Sequence, residues 1–246
     1  MDISNELILF CVGAMAGFLN VFAGGGSALT LPILIFIGLD TATANGTNRI
    51  ALILQNVSGI SSFKKQKVKG LRIAFKYALY TIPGAIAGAI FSIQITHEWF
   101  ERILAVIMVG IVISLFKENS FQNKEQVEET NPNIFFYITL FLIGFYGGFI
   151  QVGVGFLIMA ALFHSLHTSL IRVNFYKLVI ILVYMIPAVL IFIMNDKINW
   201  TVGLSMAVGN MLGAWIGANI NVKKGDKFIR YVLAVAMLIM AIKLFL

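Results

Sequence analysis

The sequence predicts an all-α polytopic membrane protein made of two inverted repeats, each a glycine-broken helical hairpin followed by three transmembrane helices. Three observations predict it. Of 246 residues, 59% are hydrophobic and 12% charged, about half the charge of an ordinary soluble domain, and the mean hydropathy is +0.92. The apolar stretches are long and apolar all round, unlike the roughly 10-residue alternating segments of a β-barrel. The second half repeats the first at one offset, with the loop charges exchanged between equivalent loops. A water-soluble globule, a disordered tail and a collagen-like chain are excluded by the same composition.

The apolar runs of the first half fall at about 6–22, 27–38, 45–63, 73–92 and 100–116. Those of the second half fall at about 134–150, 153–166, 172–194, 200–222 and 228–246. A crossing needs ~20 apolar residues. The third to fifth runs of each half are long enough to cross, the fifth only if it is nearly upright. The first two of each half are short and joined by glycine, and read as a hairpin whose tip stops inside the bilayer. Between the halves lies the polar stretch KENSFQNKEQVEETNPN. The expected division is therefore 1–116 as N-terminal repeat, 117–133 as cytoplasmic linker and 134–246 as C-terminal repeat, all one membrane domain. The opening MDISNELILF has acidic residues and no Lys or Arg before its apolar run, which reads as a retained membrane segment and not a cleaved signal.

A shift of 129 positions (153 − 24) carries Gly24 onto Gly153, Gly26 onto Gly155 and Asn45 onto Asn174. It also carries Gly84-Ala85 onto Gly213-Ala214 and Leu104-Ala105-Val106 onto Leu233-Ala234-Val235. Loop charge then sets orientation, because Lys and Arg in short loops mark the cytoplasmic side. Loop 64–72 carries Lys64, Lys65, Lys67, Lys69 and Arg72, whereas its equivalent 193–201 has Lys197 beside Asp196. Loop 93–101 carries Glu98 and Glu101, whereas 222–230 carries Lys223, Lys224, Lys227 and Arg230. The hairpin exits exchange too, Asp40 against Arg172. Equivalent loops fall on opposite faces, so the repeats are inverted and the N-terminus is expected outside. Inverted repeats with broken segments are the architecture of secondary transporters.

Two constellations stand out in the apolar runs. Gly24-Gly25-Gly26-Ser27 interrupts the first hairpin, and three glycines there break the helix and expose N–H groups. A helix restarting at Ser27 offers an anion its positive end. The equivalent element contains Gln151, Gly153 and Gly155, where Gln151 adds side-chain donors; a tight turn alone would also use such glycines. The second constellation is Asn45, Thr47, Asn48 and Arg49, with Asn174 and Lys177 as partners in the other half. Spacings of three and four residues put each amide beside a cation on one helix face. Charges within membrane segments tend to mark substrate paths, against the plainer reading that Arg49 and Lys177 snorkel to the headgroups.

Other signals are structural. Gly13/Gly17, Gly84/Gly88, Gly144/Gly148 and Gly213/Gly217 have the spacing of close helix packing. Pro83 and Pro187 are expected to kink their helices. His164 and His167 are spaced i, i+3 without a third ligand, and Cys11 is the single cysteine, so no metal or cofactor is expected. No phosphate-binding G-x-x-x-x-G-K-[ST] motif is present.

At these residues the chain resembles the sulfite exporter TauE/SafE family of membrane transporters. The motifs are A-G-G-G-S at 23–27, L-T-L-P at 29–32, A-N-G-T-N-R at 44–49, Q-V-G-V-G-F at 151–156, N-F-Y-K at 174–177 and G-A-W-I-G-A at 213–218. They span essentially the whole chain. The family often has prolines after the short second segment, where this chain has Asp40-Thr41. The resemblance implies a prokaryotic plasma-membrane protein that moves sulfite, organosulfonates or related oxyanions. The expected partners are a small anionic substrate, the lipid bilayer and a coupling proton. A homo-oligomer is compatible with this reading, and the net charge of +7 reports cytoplasmic loops, not nucleic acid. An anion channel or small organic-acid carrier is the alternative, and an intramembrane enzyme would lack the carboxylates and paired histidines it needs.

Overall fold

The computed structural model describes residues 3–23, 26–116, 132–166 and 168–220. The expected tenth segment, the basic loop before it, most of the linker, Gly24, Gly25 and His167 lie outside the described residues. Among the described residues there are nine α-helices and no strand. They are α1 (Ile3–Ala23), α2 (Ser27–Phe36), α3 (Thr41–Lys65), α4 (Leu71–Gln94), α5 (His97–Phe116), α6 (Ile134–Phe149), α7 (Val154–Leu166), α8 (Leu170–Met194) and α9 (Trp200–Ile220). The protein is an all-α membrane protein. Leu71–Gln94, Leu170–Met194 and Trp200–Asn219 are long and apolar enough to cross a bilayer. Exposed Leu204, Val208, Leu212 and Ile216 recur every fourth residue along α9, an apolar stripe that water would not tolerate.

Helix starts repeat with the sequence. Helices α3 and α8 are both 25 residues long and begin 129 apart (170 − 41), as do α4 and α9 (200 − 71). Capping explains the match: the Asp40 carboxylate accepts from Thr43 N at 3.1 Å and the Ser169 hydroxyl from Arg172 N at 3.5 Å, each satisfying a first-turn N–H. These caps start both helices earlier than the apolar runs do. Asn45 and Arg49 therefore lie one to two turns inside α3, and Lys177 lies two turns inside α8. Helices α2 and α7 have 10 and 13 residues, about 15 and 20 Å at ~1.5 Å per residue. Neither spans a ~30 Å hydrocarbon layer.

Glycine sets how the halves pack. A Cβ on Gly13 would lie 2.5 Å from the Met206 carbonyl oxygen, and one on Gly17 would lie 2.2 Å from that of Asn210. The two numbers rise together, so α1 and α9 run parallel with backbones in contact. Gly84 and Gly88 meet the carbonyls of Phe141 and Phe145 in the same way, so α4 runs parallel to α6. Helices α3 and α8 instead cross antiparallel at the centre: Gly46 lies against Phe192, and the Phe63 ring is 6.1 Å from that of Phe175. Adding 129 to Gly46 gives Phe175, and subtracting it from Phe192 gives Phe63, so these two contacts are equivalents.

The helix ends sort accordingly. At one end Lys197 Nζ lies 3.5 Å from Asp40 and Thr41 N donates to His97 Nδ1 at 3.3 Å. At the other, Lys69, Gly70, Ile73, Arg172 and Tyr176 line a cavity of about 280 Å³.

Candidate functional site

The two breaks meet. The Ser27 hydroxyl, at the head of α2, donates to the Gln151 carbonyl and accepts from Gly153 N, both at 3.4 Å. Gly26 is demanded by packing, since a Cβ there would lie 2.0 Å from the Ala16 carbonyl oxygen. Gln151 and Gly153 both have positive φ, 69° and 71°, the left-handed region that a non-glycine residue seldom adopts. That kink separates α6 from α7. It turns the Gln151 side chain to Tyr184, whose hydroxyl donates to Oε1 at 2.7 Å. Gly155 is buried in the first turn of α7.

Arg49 is fully buried. Its guanidinium donates from Nη1 to the Gly147 carbonyl at 3.1 Å and from Nη2 to that of Gly148 at 2.6 Å. Nη2 also lies 3.4 Å from Asn45 Oδ1, and the guanidinium sits 4.9 Å from the centre of the Phe192 ring. Asn45 Nδ2 donates to Ser92 Oγ at 2.8 Å and to the Phe149 carbonyl at 2.6 Å. These carbonyls are the last of α6, orphaned by the break. A cation there meets the negative end of the helix dipole.

Lys177 repeats the arrangement in the other half. Also fully buried, its ammonium donates to the carbonyls of Asn20 and Val21 at 3.0 and 3.2 Å, and to Asn174 Oδ1 at 2.8 Å. Those carbonyls close α1, just before the first break. Neither cation snorkels: each core helix holds a charge against the broken first helix of the opposite half. No carboxylate pairs with either among the described residues. Asn48 is fully buried with both amide atoms unpartnered, and Arg49 Nε is likewise unpartnered.

The sequence-derived set thus falls into two groups joined at Ser27. Arg49 and Asn45 reach the end of α6, up to four residues before Gln151. Lys177, bound also to Asn174, reaches the end of α1, three residues or more before Gly24. Among the described residues the two cations share no hydrogen-bond partner. Thr47 lies outside both groups, because its hydroxyl accepts from Asn199 N at 2.8 Å and ties α3 to the start of α9. Tyr184, Asn20 and Ser92 belong to the site and were not expected. Tyr184 carried a signal: it lies 129 residues after Gln55, so a polar group interrupts both core helices at the same register. A separate, open cavity of about 510 Å³, lined by Asp40, His97 and Glu101 among others, lies at the end of the α2–α3 turn. Burial raises the Asp40 carboxyl, but hydrogen bonds from Thr43 and the charge of Lys197 outweigh it and hold the group below the usual carboxylate value.

Comparison with known proteins gives the family. The family model for the sulfite exporter TauE/SafE matches residues 9–244. A probable membrane transporter protein of Haemophilus influenzae is 26% identical over 246 residues, covering 99% of this chain and 96% of the relative. The probable membrane transporter protein YfcA of Escherichia coli K12 is 28% identical over 239 residues, covering 96% and 88%. No solved structure matches the chain significantly. The chain belongs to the sulfite exporter TauE/SafE family and is a membrane transporter.

Proposed function

We propose that the protein is a secondary transporter of a small sulfur oxyanion or organosulfonate, working by alternating access between two inverted repeats. The observation that carries this reading is the meeting of two helix breaks at Ser27, flanked by two buried cations that no carboxylate among the described residues neutralises. A buried charge without a counter-charge is costly, and helix-end carbonyls offset it only in part. An arriving anion supplies the rest. The substrate is held between the Ser27–Gln151–Gly153 contact and the cations, with Arg49 Nε and the Asn48 amide as donors and Asn45, Asn174 and Lys177 fixing the walls.

The antiparallel crossing of α3 and α8, and their equivalent Gly46–Phe192 and Phe175–Phe63 contacts, support the inverted arrangement about a pseudo-two-fold axis. The Lys69–Arg172 end is the cytoplasmic one, by the excess of positive loop charge. That puts the N-terminus outside and the linker inside, in a prokaryotic inner membrane. The family name and the names of the relatives support transport itself.

A thermal-shift panel on the purified protein tests the substrate class. Sulfite, sulfate, thiosulfate, sulfoacetate and small carboxylates are compared, because a ligand that binds the native state raises the midpoint by mass action. Sulfur oxyanions shifting the midpoint, and small carboxylates leaving it unmoved, is the expected result. A shift confined to carboxylates contradicts the substrate assignment.

A further inference from the structure

The two cations differ in one chemical respect. A guanidinium stays charged in proteins, whereas a buried ammonium exchanges its proton readily. Lys177 has three N–H groups, and three oxygens from two helices take them: Asn20 O, Val21 O and Asn174 Oδ1, with Met159 Sδ of α7 at 3.6 Å. The ammonium therefore ties the C-terminal end of α1 to α8, at the point where the first hairpin breaks.

Among the described residues, the helices packed around it bring no acid to it. Glu6, the acid of α1, lies fourteen residues (20 − 6) before Asn20, about 21 Å along the helix. On α7, His164 is exposed and bound to the Ala160 carbonyl. On α3, Arg49 is turned to Gly147 and Gly148, and Lys64 and Lys65 are exposed. On α4, Arg72, Lys76 and Tyr80 are exposed and Tyr77 packs on Phe136. On α6, Tyr146 donates to the Val152 carbonyl and Tyr137 packs on Tyr80. On α8 itself, Arg172 and Tyr176 line the Lys69 cavity and Tyr184 is bound to Gln151.

We propose that Lys177 is the site of the coupling proton, an inference that rests on the secondary-transport reading above. Protonated, it clamps α1 to α8. Its proton passes to water at the face where the anion leaves and is regained from water at the opposite face once the empty site has returned. The neutral amine has two N–H groups for three oxygens and no charge to meet the α1 dipole, so the clamp loosens and the empty site returns, whereas the anion-loaded site turns with the ammonium charged. Arg49 keeps its charge throughout. One half thus carries a permanent cation and the other an exchangeable one, and one proton moves per cycle.

Proteoliposomes separate the two claims. Sulfite counterflow at equal pH measures carrier activity, and sulfite accumulation under an imposed pH gradient measures coupling, with protein-free vesicles correcting for the distribution of sulfite itself. The wild type is expected to show both. Lys177→Arg, a change within the proposed binding site, is expected to lower counterflow in part, since exchange cycles only the anion-loaded site, and to lose gradient-driven accumulation altogether, because the proton does not leave. Wild-type counterflow that no pH gradient can drive overturns the inference and leaves the transporter intact; so does accumulation by Lys177→Arg in the wild-type proportion to its own counterflow. Absence of wild-type counterflow overturns both. Should Lys177→Arg fail to fold or show no counterflow, Lys177→His decides: a counterflow pH profile displaced to lower pH supports the inference, and an unchanged profile overturns it.

Discussion

Ser27 Oγ donates to the backbone carbonyl of Gln151 at 3.4 Å, across 124 residues of sequence. This contact joins the head of α2 to the turn that separates α6 from α7, so movement of one hairpin is felt by the other. Ser27→Ala removes the donor to Gln151 and the acceptor for Gly153 N. A neutral hydrogen bond contributes about 1 kcal/mol net, so anion flux is expected to fall about fivefold. Counterflow rates in proteoliposomes check this, and a wild-type rate would mean that the two breaks are not coupled through Ser27.

Arg49 forks onto two carbonyls at once, which an ammonium cannot reproduce. Arg49→Lys is expected to lower transport about tenfold, since hydrogen bonds to charged groups contribute ~1.5–3 kcal/mol. Arg49→Ala should lower it further and depress the thermal midpoint, as the last carbonyls of α6 lose their donors. A change at exposed Lys64 serves as the comparison and should leave transport near wild type.

Gly84→Ala would place a Cβ 2.1 Å from the Phe141 carbonyl oxygen, while Gly110 on α5 has nothing within 4 Å of the same position. The first change must push α4 away from α6, costing about 1–3 kcal/mol. The second fills open space and gains up to ~1 kcal/mol of helix propensity. Thermal midpoints in detergent should move in opposite directions.

The Asp40 carboxylate caps α3 and faces Lys197. Loss of the cap in Asp40→Ala is expected to destabilise by about 1 kcal/mol; Asp40→Asn keeps a capping oxygen and should lose less. Because the folded protein holds this carboxyl below its ordinary value, its contribution is present above the unfolded value and is lost as pH falls through the folded one. Thermal melts from neutral to acidic pH should bring the wild type toward Asp40→Ala, with the difference shrinking at the acidic end.

Much of this was legible in the sequence because polar residues inside apolar helices are conspicuous. Asn45, Arg49, Asn174 and Lys177 stand out by type and by a common register, and the paired glycines of α4 and α6 announce a backbone-close interface. What Arg49 and Lys177 touch was not legible. Their partners are main-chain carbonyls at Gly147, Gly148, Asn20 and Val21, and every residue has a carbonyl. Only the break that leaves those carbonyls unpaired, and the crossing that brings them to the opposite half, makes them acceptors. Helix starts were misjudged for a related reason. Asp40 and Ser169 begin α3 and α8 ahead of the apolar runs, which moved Asn45 and Arg49 from the head of the helix into its buried interior.

Sulfite counterflow into proteoliposomes tests the central claim most directly, comparing wild type with Arg49→Ala. The account predicts saturable wild-type uptake that is stimulated by unlabelled sulfite on the far side and is lost in the variant, while Lys64→Ala behaves as wild type. Uptake by Arg49→Ala equal to the wild type would contradict it, as would a wild-type flux that neither saturates nor responds to sulfite on the far side.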